Sequence, residues 1–138
     1  MHHGMIQIGK NAIIILLVFL FISCNFIDKR NLVGIYTGVN YTKTVDTLII
    51  REDGSFLQLI YDRKDGRLIH RHDGTWEYSD NYIHLDSFLV NLDQEFSPNV
   101  PTWDDVLMHA YLPVKQKLNG EIKIMVGEYV YLRKIKNR

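Results

Sequence analysis

The sequence predicts an all-β protein: an antiparallel meander of about eight strands, closed as a barrel or folded as a sandwich. Segments rich in β-branched and aromatic residues follow one another after residue 32. Turn signals such as Asp-Gly and Asn-Gly separate them at intervals of about 8–20 residues. No amphipathic helical pattern of more than about two turns follows the N-terminal apolar run.

The first hairpins carry the clearest signal. Residues 45–51 are apolar and β-branched, and Asp53-Gly54 separates them from a return strand over residues 56–61. Because both turn residues tolerate positive φ angles, we expect a type I′ turn there. The pairs Asp65-Gly66 and Asp73-Gly74 repeat the signal and predict two further short strands, over residues 67–71 and 75–78.

The second half of the chain continues the pattern. A turn at residues 79–81 leads into a strand over residues 82–86, and Asn119-Gly120 separates two later strands. The last strand is expected over residues 129–133. Apolar residues occupy every second position in two of these strands, so one face of each is expected in the core: Ile83 and Leu85, then Ile122, Ile124 and Val126.

Residues 93–106 interrupt the strands. Pro98 and Pro101 fall in this segment, and proline cannot donate to a strand ladder, so a loop is predicted. Long loops in compact domains are often functional. Trp103 is therefore a candidate contact residue.

The N-terminus has the pattern of an export signal. Lys10 and Asn11 precede an apolar run over residues 12–22. A membrane-spanning helix needs about 20 residues, whereas a run of this length after a positive charge is typical of a secretory signal peptide. Cys24, the single cysteine, follows directly after Ser23.

The segment Leu20-Phe21-Ile22-Ser23-Cys24 resembles a bacterial lipobox, although Phe21 stands where leucine is usual. The resemblance implies cleavage before Cys24 and its modification with fatty acyl chains such as palmitate. The expected organisation is a signal peptide at 1–23, a tether at 24–31 and one domain at 32–138. The expected location is the bacterial cell envelope, anchored to the outer membrane by lipid. An uncleaved anchor with a buried structural cysteine is the alternative.

Composition narrows the classes of partner. The chain has 16 basic and 16 acidic residues, and loss of Lys10 with the signal leaves 15 basic residues. We therefore expect no nucleic-acid partner, since such proteins need a basic excess or stripe. With Cys24 acylated, no disulfide can form within the domain. No cofactor is expected.

Several motifs resemble those of small lipocalin-like lipoproteins, in particular the N-terminal barrel of NlpE-type proteins. They are Gly34-Ile35-Tyr36-Thr37-Gly38, Asp53-Gly54-Ser55-Phe56, Gly74-Thr75-Trp76 and Ile83-His84-Leu85. The resemblance covers about residues 32–86 and implies a lipocalin-like barrel, whose interior either is filled by side chains or holds one small ligand. The family's Cys-x-x-Cys is absent from residues 39–44, so its copper or redox role does not transfer.

Two patterns suggest metals. His70 and His72 are two residues apart, so they share one strand face and could bind a metal with His84 or Asp73 as a third ligand. The alternative is a pair of outward polar residues beside a turn.

Acidic residues on the predicted loop suggest calcium, which binds several oxygen ligands. They are Asp93, Glu95, Asp104 and Asp105. Their spacing matches no EF-hand, and a solvated acidic loop is the alternative.

Aromatic residues are the candidates for ligand contact. Tyrosine and tryptophan combine an apolar body with a polar group, and both occur in ligand cavities and interfaces. Phe56 and Trp76 are candidates to line a cavity, with a role in the core as the alternative. No Gly-x-Ser-x-Gly motif or phosphate-binding glycine loop is present, so we do not expect an enzyme.

These patterns leave two function hypotheses. One is a lipid-anchored barrel that binds a small apolar ligand. The other is an interaction, sensor or inhibitor lipoprotein without a small ligand, which contacts an envelope protein through the 93–106 loop. A roomy apolar cavity would favour the first, and an exposed aromatic patch the second.

Overall fold

The computed structural model describes residues 27–92 and 107–135. They form a closed antiparallel barrel in which β8 pairs with β1, which confirms the all-β prediction and the strand count. The strands are β1 (Gly34–Val39), β2 (Thr44–Ile50), β3 (Ser55–Asp62), β4 (Leu68–Ser79), β5 (Tyr82–Phe88), β6 (Met108–Gln116), β7 (Ile122–Met125) and β8 (Tyr131–Lys134).

The barrel has two different ends. The helix end holds the β2–β3, β4–β5 and β6–β7 turns and a short 3-10 helix, η1 (Lys29–Leu32). Lys134 Nζ donates to Asn31 O over 2.5 Å, which ties η1 to β8. The loop end holds the β1–β2, β3–β4 and β7–β8 connections and the chain after β5. Residues 93–106 lie outside the described residues, so the predicted loop and its calcium ligands do too.

The start of the domain lies earlier than the sequence indicates. Ile27 is 6% exposed and Leu32 is fully buried, and both belong to the apolar core. The Tyr36 hydroxyl donates to Leu32 O over 2.7 Å from inside the barrel. Part of the segment expected to act as a tether is therefore folded onto the helix end.

Asp73-Gly74 is not a turn, contrary to the prediction. The two expected strands around it are one strand, β4, which continues through both residues. Gly74 has a negative φ. It is a glycine because the Phe56 ring and the Asp86 carbonyl oxygen lie too close to leave room for a side chain. Asp65-Gly66 and Asn119-Gly120 do lie in turns, and both glycines have positive φ.

The type I′ prediction for Asp53-Gly54 is also wrong, because only Gly54 has a positive φ (84°). Asp53 Oδ1 instead accepts from the Ser55 amide (2.9 Å) and hydroxyl (2.6 Å). These bonds lower the pKa of Asp53. Two consecutive positive φ angles, 52° and 64°, occur at Asp80 and Asn81 between β4 and β5, as a type I′ turn requires.

Apolar side chains fill the inward positions of the helix-end half of the barrel. The predicted alternation in β5 and β7 is confirmed, since Ile83, Leu85, Ile122 and Ile124 are all buried. The largest fully buried side chains include Tyr36, Phe56 and Phe88. The loop-end half differs, because polar side chains occupy several of its inward positions.

Candidate functional site

The chain after β5 folds across the loop end and is held there by a glutamine. Gln58 Nε2 donates to Leu89 O over 2.8 Å, and the Leu89 amide donates to Gln58 Oε1 over 3.0 Å. Gln58 and Leu89 are each 2% exposed. One amide side chain thus satisfies both backbone groups of a buried residue, which would otherwise carry a desolvation cost.

A second polar contact lies beside the first. Asn91 Nδ2 is 2.8 and 2.9 Å from the two carboxylate oxygens of Asp46 and 2.9 Å from the Thr44 hydroxyl. That hydroxyl donates to Asp46 Oδ1 over 2.6 Å. All three residues are almost fully buried. The connection after β5 therefore covers this opening of the barrel through hydrogen bonds.

The sequence analysis did not single out Asp46, Gln58 or Asn91. A signal existed for two of them. Asp46 shares the strand face of Leu48 and Ile50, and Gln58 that of Phe56 and Ile60, so each is a polar residue at a core position. Asn91 lies three residues after the end of β5 and has no such periodic signal.

The two histidines of β4 point into the barrel, so the alternative of a pair of outward polar residues is wrong. His70 is 6% exposed, and its ring stacks on that of His72 with centroids 6.2 Å apart. Their shared face is confirmed, but the suggested third ligands are elsewhere. Asp73 alternates with them and points outward, and His84 lies on the outer wall.

No metal cluster forms in the described part of the chain. Within it, no three histidine, cysteine, aspartate or glutamate side chains come together as ligands. The pair His70 and His72 thus has no third ligand of these types among the residues suggested from the sequence.

The three aromatic candidates have different positions. Phe56 is fully buried, in edge-to-face contact with Phe88 at 6.1 Å between ring centroids, and so lies in the core. Trp76 is 3% exposed, and its indole Nε1 donates to Arg51 O over 2.8 Å. Lys29 Nζ lies 5.0 Å from the Trp76 ring centroid. Trp103 lies outside the described residues.

A groove of about 550 Å³ runs along the outer wall of the barrel over β4, β5 and β6. Its outward side chains, which we call the outer groove, are Thr75, Glu77, His84, Asp86, His109 and Tyr111. Strand register explains this assembly, because Glu77, His84 and Tyr111 are direct cross-strand neighbours in one row. At the helix end the groove reaches Lys29 and the edge of Trp76.

Hydrogen bonds and ring contacts order the side chains of the outer groove. His109 Nδ1 lies 2.9 Å from Asp86 Oδ1, and His84 Nε2 lies 3.2 Å from the Ser79 hydroxyl. The His84 and Tyr111 rings are 4.5 Å apart, and Tyr111 is 63% exposed. The groove combines an exposed aromatic ring with two carboxylates and two imidazoles, a set that can hydrogen-bond and pack against a bound segment.

A smaller crevice of about 300 Å³ lies at the helix end, between η1 and Trp76. Lys29, Arg30, Val33 and Glu52 line it with the indole. Trp76 therefore borders both cavities, whereas Phe56 borders neither.

Within residues 27–92 and 107–135, no helix has the length and apolar character needed to cross a bilayer. Comparison of the chain with protein-family models, curated proteins and solved structures finds no match.

Proposed function

We propose that this chain is a lipid-anchored protein of the bacterial envelope, acylated at Cys24, whose barrel binds a partner protein through the outer groove. The observation that carries the binding role is the groove itself, with Tyr111 exposed beside ordered polar side chains. Exposed tyrosines with polar neighbours are typical of protein interfaces.

The occupied interior supports a surface role over a role as an internal carrier. Large side chains fill the apolar half of the barrel, and the polar half is covered by Leu89 and Asn91. At the helix end, Leu32 is fully buried and accepts from Tyr36. Binding on the outer wall leaves all of these contacts intact.

The groove chemistry suggests the kind of segment that binds. Glu77 and Asp86 supply two carboxylates, and Lys29 is the one lysine or arginine among the described residues that line the groove. A partner segment with a basic side chain would pair with the carboxylates while it packs on Tyr111. Residues 93–106, with Trp103, remain a predicted additional contact.

Acylation is tested by metabolic labelling with an alkynyl fatty acid. We expect the full chain to incorporate the label and the Cys24→Ala variant to incorporate none. If both chains are labelled equally, acylation at Cys24 is wrong.

Partner binding is tested with a photo-crosslinking amino acid placed at Tyr111 in the native envelope. The matched control carries it at Lys64, on the β3–β4 connection at the loop end. We expect a discrete cross-linked protein from position 111 that is lost with Glu77→Lys. The same adducts from both positions would contradict the proposal.

A small apolar ligand is the second candidate, favoured by the crevice beside Trp76. Its volume of about 300 Å³ lies at the lower limit for small-molecule pockets. Native mass spectrometry of the gently purified chain tests it: a bound mass that disappears with Trp76→Phe supports a ligand, whereas an unchanged bound mass argues against this crevice.

A further inference from the structure

Three basic residues form a row across the outer wall of β6, β7 and β8, near the helix end. Lys115 pairs directly with Lys123, and Lys123 pairs directly with Arg133. Each directly follows a buried residue, namely Val114, Ile122 or Leu132, so all three side chains are on the outer face. Like charges directly opposite one another in a sheet destabilise it, so such a row favours an anionic partner.

The local countercharge does not neutralise the row. Glu121 Oε1 lies 3.7 Å from Lys123 Nζ, and its Oε2 lies 3.6 Å from Lys117 Nζ. Lys117 adds a fourth cation at the β6–β7 turn. Within the described residues, Glu121 pairs with Lys117 and Lys123, whereas Lys115 and Arg133 form no ion pair. A side-chain hydrogen bond with Tyr131 raises the pKa of Lys123, which keeps that side chain charged.

Two apolar side chains border the row at the helix end. Leu118, in the β6–β7 turn, is fully exposed, and Ile135, just after β8, is 47% exposed. We call this surface the basic rim: Lys115, Lys117, Leu118, Lys123, Arg133 and Ile135. Cations next to exposed apolar side chains are the combination that proteins use at the surface of an acidic bilayer.

The proposed lipid anchor on Cys24 brings the helix end of the barrel close to the membrane. Ile27 is buried two residues before η1, at the helix end. Cys24 is three residues earlier in the chain, so even a fully extended chain spans only about 10 Å between them. A lipid on Cys24 therefore keeps the helix end close to the bilayer. Of the acidic turn residues at this end, Glu52 and Asp53 belong to β2–β3, on the opposite side of the barrel, and Asp80 belongs to the β4–β5 turn beside β6.

Because the basic rim and the lipid anchor lie at the same end of the barrel, we propose that the basic rim docks on a phospholipid bilayer that contains acidic headgroups. Leu118 is then inserted among the lipids. The inference rests on the proposed acylation of Cys24. It adds an orientation: the helix-end part of β6–β8 faces the membrane, and the loop end points away from it.

The test uses the mature acylated protein reconstituted in vesicles. Leu118→Cys carries an environment-sensitive fluorophore, since acylated Cys24 has no free thiol. Lys64→Cys, at the loop end, is the matched control. Vesicles contain phosphatidylethanolamine with phosphatidylglycerol, or phosphatidylcholine alone. We expect the label at position 118 to report an apolar environment in the acidic vesicles alone, and the label at position 64 to report water in both.

Charge removal provides a second readout. Each basic residue near an acidic bilayer strengthens binding about fivefold, so Lys115→Gln with Arg133→Gln should weaken docking by roughly 25-fold. Added salt should weaken it in the wild type. Substituting the exposed Lys64 and Arg67 with glutamine is the control and should leave docking unchanged.

The outcomes separate the two proposals. An aqueous signal at position 118 in acidic vesicles, from protein that carries acyl chains, overturns docking and leaves the anchor intact. Equal signals from position 118 in acidic and neutral vesicles overturn the role of the basic rim. A chain without acyl label overturns the anchor and the inference that rests on it.

Discussion

The ring of Phe56 lies where a side chain on Gly74 would begin. A Cβ atom built on Gly74 would be 2.5 Å from both Cε1 and Cζ of Phe56, and it would also collide with the carbonyl oxygen of Asp86. The two residues are paired across β3 and β4. A glycine in the middle of a strand therefore gives a buried aromatic ring its place in the core.

Gly74→Ala should destabilise the protein by about 1–3 kcal/mol, since the added methyl group must displace a packed ring and a strand backbone. Chemical denaturation of the wild type and the variant measures this. Gly127→Ala is the control, because its Cβ would approach only side-chain methyl groups, at 3.1 and 3.2 Å. Equal stability of the Gly74 variant and the wild type would refute the packing argument.

Trp76→Ala should cost about 3–5 kcal/mol, as expected for truncation of a large core side chain. The indole is buried and also bonds to Arg51 O. Trp76→Phe keeps most of the packing and loses the hydrogen bond, so it should cost less. Thermal melting of both variants measures the effect. A melting temperature for Trp76→Ala equal to that of the wild type would show that the side chain contributes nothing to the core.

Gln58→Leu should destabilise the protein by about 2–4 kcal/mol, because the Leu89 amide and carbonyl would both lose their partner while buried. Hydrogen exchange at the Leu89 amide should accelerate. Gln116→Leu, at an exposed position of β6, is the matched control. Unchanged exchange at Leu89 in the Gln58 variant would rule out this side chain as the group that holds the connection.

Tyr36 should make the stability fall at alkaline pH. Burial raises the pKa of its hydroxyl well above the usual value of 10.0, so the folded state keeps the proton that the unfolded state releases. The stabilisation is fully present below pH 10 and decreases as the pH rises further, by about 1.4 kcal/mol per pH unit.

Urea denaturation at pH 8 and pH 11 of the wild type and Tyr36→Phe tests this expectation. The variant should lose about 1 kcal/mol at pH 8, where it lacks the bond to Leu32 O, and should show a shallower alkaline decline. Tyr82→Phe, at a 44% exposed position, is the control. If Tyr36→Phe and the wild type decline in parallel, burial of the hydroxyl does not control the alkaline stability.

Prediction succeeded where a local pattern is enough. Turn signals and alternating apolar residues identified most strands, such as β5 with Ile83 and Leu85. The prediction failed at Gly74, since an Asp-Gly pair in isolation favours a turn. Only the position of the Phe56 ring explains why this glycine lies within a strand. The predicted turn divided β4 into two strands for the same reason.

The candidate site could be predicted only in part. The shared face of His70 and His72 follows from their spacing, but their inward direction depends on which face of β4 packs against the core. The outer groove joins residues of three strands, and the basic rim joins residues of three others. The assembly of each surface depends on the register between neighbouring strands. The residues of one strand do not define that register by themselves.

The sequence alone determined the β class and the approximate number of strands, and it predicts an export and acylation signal, because each depends on neighbouring residues. The tertiary structure decided the closure of β8 on β1, the position of η1 at the helix end of the barrel and the placement of Asp46, Gln58 and Asn91 together. These features join residues far apart in the chain. They form only when the whole barrel buries its core, since the free energy of that burial is shared among all the strands.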